Sequence, residues 1–502
     1  MWRALGLGAG DAAYAVRGAP EGSRSPKEDG WTLLQVQVNI RHGDRAPRQQ
    51  LPKLPATWPV GLAQLTPLGM KQCHQLGAAI DEEYGHLWAH TYDEAIMTLR
   101  ASSRSRAIVS ATCCAAGLFP PGSGPLDGLP GALQPVSVSS TDYWNDILFH
   151  ACDRCPELDR RRARFYESDE FAAKEAEAAP TLSKLEELTG LKPSLRRLYP
   201  IFDSLCCLKA HGVYDVEEAD LELWQKSLEL AHWSETARFA SKLGGVKYGG
   251  GLQGGPMVQA IDYQIELAVR QDPRAKKFAR DGVGRQTWAV LYSGHDSTML
   301  SLAAALRLDE MYPETFHRIP GTASALAVEL WTKSRGRGRD QYAVRVVYRR
   351  GAEDGATDLP ADAAWVPYAH CGSEQALVPW AERRMQKSDV VPDDWCAACR
   401  NTSCNACAQR ALRLAKFKAT SEWSNYEKLA VLELHIKDLI TQAGAAGQDQ
   451  RTMAALLAAS RCERNAILQE LGLSEEEHFA SHNARLEFEI KRLTIRDILP
   501  TP

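Results

Sequence analysis

Residues 41–48 read RHGDRAPR, so Arg41, Arg45 and Arg48 surround one imidazole, His42, on a short turn. Guanidinium groups are planar, permanently charged donors suited to bidentate contact with phosphate oxygens. Two of them flanking a histidine describe an oxyanion clamp around a nucleophile. An imidazole among cations has its protonated form disfavoured, which keeps it nucleophilic at low pH. Gly43 would let the backbone approach a ligand closely. A solvated basic turn is the bland alternative, since charge runs usually face water. The position of the turn weighs against it.

That position is set by WTLLQVQVNI at 31–40, whose alternation of Leu34, Val36, Val38 and Ile40 with Gln35, Gln37 and Asn39 predicts a half-buried strand. A strand ending at Ile40 delivers Arg41, His42 and Arg45 to the crevice beyond its carboxyl end, where open α/β sheets place their ligands. A second apolar run, TWAVLYSG at 287–294, predicts a buried strand closed by Gly294 directly before His295 and Asp296. Over 65–83 the spacing predicts a helix with Thr66 as N-cap and Pro67 at its first position.

Between the two strands the chain turns helical. TLSKLEELTG offers Ser183 and Glu186 as a capping box and Gly190 as a C-cap, and DLELWQKSLELAHW follows, so 141–243 predicts a helical insertion. ASALAVELW and QYAVRVVYRR, separated by RGRGRD, predict a hairpin. Ser424 and Glu427 cap a further amphipathic segment, and 451–471 and 474–498 repeat helical spacing, which predicts a small helical appendage. Such Ala-rich helices are more often packing elements than binding modules.

RHGDRAP resembles the signature of the histidine acid phosphatases, the second branch of the histidine phosphatase superfamily, and LYSGHDSTM supplies the His-Asp dipeptide that follows a later strand in that family. QLTPLGMKQCHQLG, LRASSRSRAIVSA, GGPMVQAI, ASALAVELW and VVPDDWCAAC are similar in the same order, so the resemblance covers roughly residues 31–400. It implies an α/β fold, a phosphoglycerate-mutase-like sandwich with a central mixed β-sheet flanked by helices and a helical cap, to which the helical spacing of the last hundred residues adds a C-terminal helical extension. The layout expected is a phosphatase domain over 31–410 with its core at about 31–140 and 250–375 and its cap at about 141–249, preceded by a leader over 1–30 whose Gly-rich spacing and Asp11 predict disorder and followed by the extension over 411–502.

The resemblance also implies roles. His42 would be the nucleophile and form a phosphohistidine; Arg41, Arg45 and Arg100 would hold phosphoryl oxygens; His295 would add a donor; Asp296 would protonate the leaving alkoxide. Phosphate monoesters need charge stabilisation, in-line positioning and a proton for the departing oxygen. A covalent histidine splits one hard displacement into two easier steps. No metal or cofactor is implied. The substrate would be a small phosphomonoester, and a homodimer is compatible with the resemblance.

Two departures concern the pocket walls. Ala101, Ser102 and Ser103 follow Arg100 where the family carries a carboxylate, and Gly321-Thr322 stands where an aromatic is usual. Cys155 and Cys399 match a family disulfide; Cys206 or Cys207 matches another bridging position whose usual partner is replaced in TASALAVEL.

Composition limits the partners. With 59 basic and 63 acidic residues the net charge is -4, so no global field draws the chain onto nucleic acid or an anionic membrane. No run approaches the roughly 18 to 20 apolar residues of a spanning helix. The amino terminus shows no clear signal peptide, whereas the family resemblance points to a secretory or lysosome-like compartment. Thirteen cysteines are many for a reducing compartment. Among them, WCAACRNTSCNAC holds two Cys-x-x-Cys pairs separated by only four residues, far fewer than ribbon-type zinc sites place between them, and the neighbouring sequon Asn401-Thr402-Ser403 and the resemblance at Cys399 favour disulfides there. Two further alternatives are a phytase-like enzyme, which would need basic residues beyond the clamp such as Arg48, Arg104 or Arg106, and a non-catalytic phosphate-binding or structural protein.

Overall fold

The structure, a computed structural model, describes residues 30–407 apart from 144, 217–219, 244–248, 270–287, 334–340, 371, 374, 384–390, 393 and 402–406, together with 464 and 465. The leader over 1–29 and the caps and helices expected at 424–427, 451–471 and 474–498 therefore lie outside the described residues, apart from 464 and 465.

One mixed sheet organises the chain. Its strands are β1 (Thr32–Arg41), β2 (Met97–Ser102), β3 (Val138–Thr141), β4 (Ala289–Gly294), β5 (Ala325–Lys333), β6 (Gln341–Arg349), β7 (Val366–Tyr368) and β8 (Leu377–Pro379). They lie in the order β3-β2-β4-β1-β5-β6-β7, with β8 also on β6. Strands β3, β2, β4 and β1 pair in parallel, and β1, β5 and β6 pair antiparallel. The expected β5–β6 hairpin is present in this half.

Strand β1 is buried on both faces rather than half-buried as its alternation predicts. Val36, Val38 and Ile40 pack in an apolar cluster with Leu76 and Ile80 of α1 (Pro67–Tyr84) and Leu118 of α2 (Ser105–Leu118). Gln35, Gln37 and Asn39 are equally buried on the other face. Gln37 is satisfied there, donating to the Ile261 carbonyl at 2.9 Å and accepting from Tyr292 Oη at 3.2 Å. Gln37 thereby bonds to a second helical layer, which contains α8 (Gly249–Val269) and α9 (Asp296–Ala305). Helix α1 starts as expected: Thr66 Oγ1 accepts from the Gly69 amide at 3.2 Å, and Pro67 stands at the first position.

Between β3 and β4 the described chain is helical: α3 (Ile147–His150), α4 (Pro156–Tyr166), α5 (Asp169–Thr189), α6 (Leu198–Ala210), α7 (Leu221–Phe239) and α8. The capping box expected at Ser183 and Glu186 is overturned, because both lie inside α5. Ser168 caps that helix through the Phe171 amide at 3.2 Å, and the Ala-rich run carries it through Pro180 to Gly190. Gly190 closes it at φ 75°, as the sequence predicts. Helices α5, α6 and α7 enclose their own apolar core with Phe171, Leu185, Phe202 and Trp224.

Cys155 and Cys399 are bridged as the resemblance implies, which ties the start of α4 to the short helix Trp395–Cys399, and a second disulfide joins Cys396 to Cys407. Three of the four cysteines of the candidate zinc cluster are thus in disulfides, and no metal-binding group occurs among the described residues; Cys404 lies outside them. Cys206 and Cys207 stay free thiols. Asn401 of the sequon is buried and donates to the Arg154 carbonyl. Among the described residues no helix is long and apolar enough to cross a membrane.

The Cys155–Cys399 bridge spans 244 residues of sequence. Replacing both cysteines with alanine is expected to lower unfolding free energy by about 2–5 kcal/mol, because a long closed loop restricts the unfolded chain. Urea unfolding of the double variant against the parent under non-reducing conditions measures this.

Candidate active site

The site lies where β1 and β4 end side by side. Arg41 pairs in register with Gly294, the His42 amide donates to the Gly294 carbonyl at 3.1 Å, and the His42 carbonyl accepts from the Ala323 amide at 3.2 Å. The turn that follows is pressed onto the start of α1. A Cβ on Gly43 would stand 2.2 Å from the Gly69 carbonyl oxygen, so the close approach needs glycine there.

His42 is fully buried, and its Nδ1 lies 2.8 Å from the Gly43 carbonyl. A carbonyl only accepts, so Nδ1 carries the proton and Nε2 keeps its lone pair. Nε2 has no protein partner. Burial first, then the charges of Arg106, Arg41 and Arg45, hold this imidazole well below the usual histidine range.

Asp296 opens α9 and is buried. Its Oδ2 lies 3.2 Å from Arg41 Nη2 and accepts from Tyr199 Oη, while Oδ1 accepts from the Ser297 amide at 2.6 Å. Burial opposes ionisation, yet Arg41, Arg48 and the Tyr199 hydrogen bond outweigh it and hold the carboxyl well below the ordinary aspartate range. His295 stands beside His42, with ring centroids 5.5 Å apart. Arg106 Nη2 lies 3.3 Å from His295 Nδ1, and a guanidinium only donates, so His295 Nε2 carries the proton and donates to Ser102 Oγ at 2.8 Å. Burial and Arg106 keep His295 neutral, well below its usual range. Ser102 therefore has a defined task in the stretch that lacks the family's carboxylate.

Arg45 is held by Asp203, whose two carboxylate oxygens accept from Nη2 at 2.8 and 2.9 Å; Nη1 points to Cys207 Sγ at 3.8 Å. Burial opposes its charge, but Asp203 more than compensates and the guanidinium stays protonated.

The structure thus brings Arg41, His42, Arg45, His295 and Asp296 together, but His295 is not the phosphate donor the resemblance implies, because its one N–H is directed at Ser102 and its other nitrogen faces Arg106. Arg100 is turned elsewhere: its Nη2 donates to Thr141 Oγ1 at 3.2 Å and lies 3.6 Å from buried Asp146. The reason is its register. Arg100 sits two residues before the end of β2, opposite Tyr292 of β4, whereas the crevice opens beyond the strand ends. Arg106, in the first turn of α2, occupies that place and is the leading charge acting on both His42 and His295. Its own basicity falls to about 9, through burial and then the nearby Arg45 and Arg48.

Sequence reasoning left Arg106 undirected and missed Tyr199, Asp203 and Ser102. Arg106 lay in the quoted LRASSRSRAIVSA, and a strand boundary at Ser102 would have separated it from Arg100. Tyr199 and Asp203 carry no local signal.

A mixed sheet with helices on both faces and a helical insertion defines an α/β fold of the histidine phosphatase type. A family model of the histidine phosphatase superfamily (branch 2) matches residues 32–349, and the chain belongs to that family. It is 26% identical to prostatic acid phosphatase of Rattus norvegicus over 377 residues, 74% of this chain and 90% of that one. Testicular acid phosphatase of Mus musculus is 30% identical over 289 residues, 55% of this chain and 64% of that one. The solved apo form of Hafnia alvei phytase shares the fold with a TM-score of 0.51 at 15% identity, covering 74% of this chain and 99% of that one.

Proposed function

We propose that the chain is an acid phosphatase that hydrolyses phosphate monoesters through a phosphohistidine on His42. One observation carries this reading. Arg41 Nε, Arg45 Nε and Arg106 Nε are buried donors without a protein acceptor, and they belong to the three arginines whose charges act on the unpartnered His42 Nε2. An unsatisfied buried donor costs about 1–3 kcal/mol, and a phosphoryl group seated at Nε2 would supply oxygens to such donors.

In the first step His42 Nε2 attacks phosphorus and the P–O ester bond breaks, while Asp296 gives its proton to the leaving oxygen. Arg41, Arg45 and Arg106 balance charge on the phosphoryl oxygens. His295, through its Nδ1 contact, keeps the Arg106 guanidinium turned toward the site. In the second step water attacks phosphorus, the P–N bond breaks, and Asp296 takes the water's proton.

The pH dependence follows from signs. His42 is held below its usual range, so it stays neutral and nucleophilic as pH falls. Asp296 must carry a proton to donate it, and an incoming phosphoryl dianion that offsets Arg41 and Arg48 raises its proton affinity. Turnover of 4-nitrophenyl phosphate is therefore expected to rise as pH falls from about 7 to about 5; steady-state rates across that range check it, and a rise toward alkaline pH would count against it.

The direct test is trapping. The protein is mixed with labelled 4-nitrophenyl phosphate, quenched in alkali and digested; label on the peptide containing His42 supports the proposal, and label elsewhere or none overturns it.

A second reading, an inositol polyphosphate as substrate, is supported by exposed cations beside the clamp. Arg48 and Arg104 are exposed and both bear on Arg106, and the Arg104 guanidinium lies 4.4 Å over the Tyr143 ring. A kcat/KM for inositol hexakisphosphate well above that for the aryl ester would favour this reading.

A further inference from the structure

Helix α6 reaches the site from the insertion. Tyr199 and Asp203 are four residues apart on it, hence on one face, and both are buried. Each ends on a group of the phosphatase reading: Tyr199 Oη on Asp296 Oδ2, and Asp203 on Arg45 Nη2. The Asp296 carboxyl is thus gripped from two sides, by its own helix through the Ser297 amide at Oδ1 and by α6 at Oδ2. Asp203 in turn engages only Nη2 of Arg45, which leaves Nε without a protein acceptor.

We infer that Tyr199 and Asp203 are positioning residues for phosphoryl transfer, Tyr199 orienting the Asp296 proton donor and Asp203 setting the Arg45 fork, so that the insertion completes the catalytic centre instead of merely covering it. This rests on the phosphatase reading above. When Asp296 gives up its proton to the leaving oxygen, the phenol already donates to the carboxylate that forms, so no group has to reorganise in that step. Tyr199 keeps its own proton, because burial and the charges of Asp296 and Asp203 push its ionisation well above the usual range. The charges facing Asp296 come from several elements: Arg41 from the end of β1, His42 and Arg48 from the turn after it, Arg106 from α2, Tyr199 from α6, Glu235 from α7 and the adjacent His295.

The test compares the full-length protein with Tyr199→Phe and Asp203→Asn from pH 4 to 8, using 4-nitrophenyl phosphate and glycerol 2-phosphate. Removing the phenol donor disfavours ionised Asp296, so the alkaline limb of kcat is expected to move up by about half to one pH unit. Because an alkoxide needs the proton more than a nitrophenolate does, Tyr199→Phe is expected to lower kcat for the glycerol ester about ten-fold more than for the aryl ester. Asp203→Asn is expected to raise KM and the inhibition constant of inorganic phosphate together, by about ten-fold, with the pH limb unmoved, and Asp203→Glu is expected to restore part of the loss. Each variant is read by its own signature, so failure of one to fold leaves the other decisive. Variants that fold, judged by thermal unfolding, and keep the parental pH profile, leaving-group ratio and phosphate affinity overturn the inference. A parent chain inactive on both esters sinks the phosphatase reading itself, which is a different outcome.

Discussion

Replacing His42 with alanine is expected to lower kcat/KM for 4-nitrophenyl phosphate by about 10⁴-fold or more, equivalent to about 5.5 kcal/mol of transition-state stabilisation. The imidazole is the only group in the cluster with an unshared lone pair, a protonated opposite nitrogen and no protein partner at the reacting atom. The cations around it are untouched by the change, so affinity for inorganic phosphate is expected to fall by no more than about ten-fold. Steady-state kinetics together with phosphate-binding calorimetry checks both halves. Added imidazole, entering the space left by the ring, is expected to restore part of the turnover. A His42→Ala protein with more than about a tenth of the parental rate would remove His42 from the mechanism.

The second large effect separates two arginines that sit six positions apart. Arg106→Ala is expected to lower kcat/KM by about 10²–10³-fold, the loss typical of one preorganised donor to a developing oxyanion. It should also change the pH profile. Arg106 is the leading charge that holds His42 and His295 below their usual range, so removing it raises both. Activity is then lost first on the acid side, as pH falls through the raised values. Arg100→Ala is expected to act differently, with less than about ten-fold change in kcat but about 3 kcal/mol lower stability, because Asp146 would keep its buried carboxylate without its cation. Kinetics and urea unfolding on both variants distinguish the roles; equal kinetic losses would contradict the geometry.

Much of the fold was legible because local rules and tertiary contacts agree there. Thr66-Pro67 opens a helix whose first turn needs a cap, Gly190 ends one at positive φ, and the apolar runs before His42 and His295 become neighbouring parallel strands. Where the two levels differ, packing prevails. Gln35, Gln37 and Asn39 look solvent-facing in one dimension, but all three are buried beneath a helical layer, where Gln37 finds partners in Ile261 of α8 and Tyr292 of β4. Ser183 and Glu186 have the spacing of a start signal, yet a helix already under way from Ser168 has no reason to stop.

The candidate site divides in the same way. Its signature groups fall in two short stretches that each resemble a family motif, so Arg41, His42, Arg45, His295 and Asp296 could be named before any geometry. The resemblance names Arg100 for the phosphate, whereas the end of β2 decides which guanidinium faces the crevice and turns Arg106 toward it. Tyr199 and Asp203 are ordinary residues of an amphipathic helix. Their partners, Asp296 and Arg45, lie far away along the chain, and no pattern within α6 announces them.

The registry of Arg41 with Gly294 has a kinetic meaning. Most of the family domain separates these two positions, and parallel pairing across such a separation closes a very large loop before any contact rewards it. His42, His295 and Asp296 come together only when that closure succeeds, so neither strand can assemble a working half on its own. On refolding, helical signal should return early while catalytic competence waits for the joining of β1 to β4. Recovery of activity is thus expected to report the joining of β1 to β4.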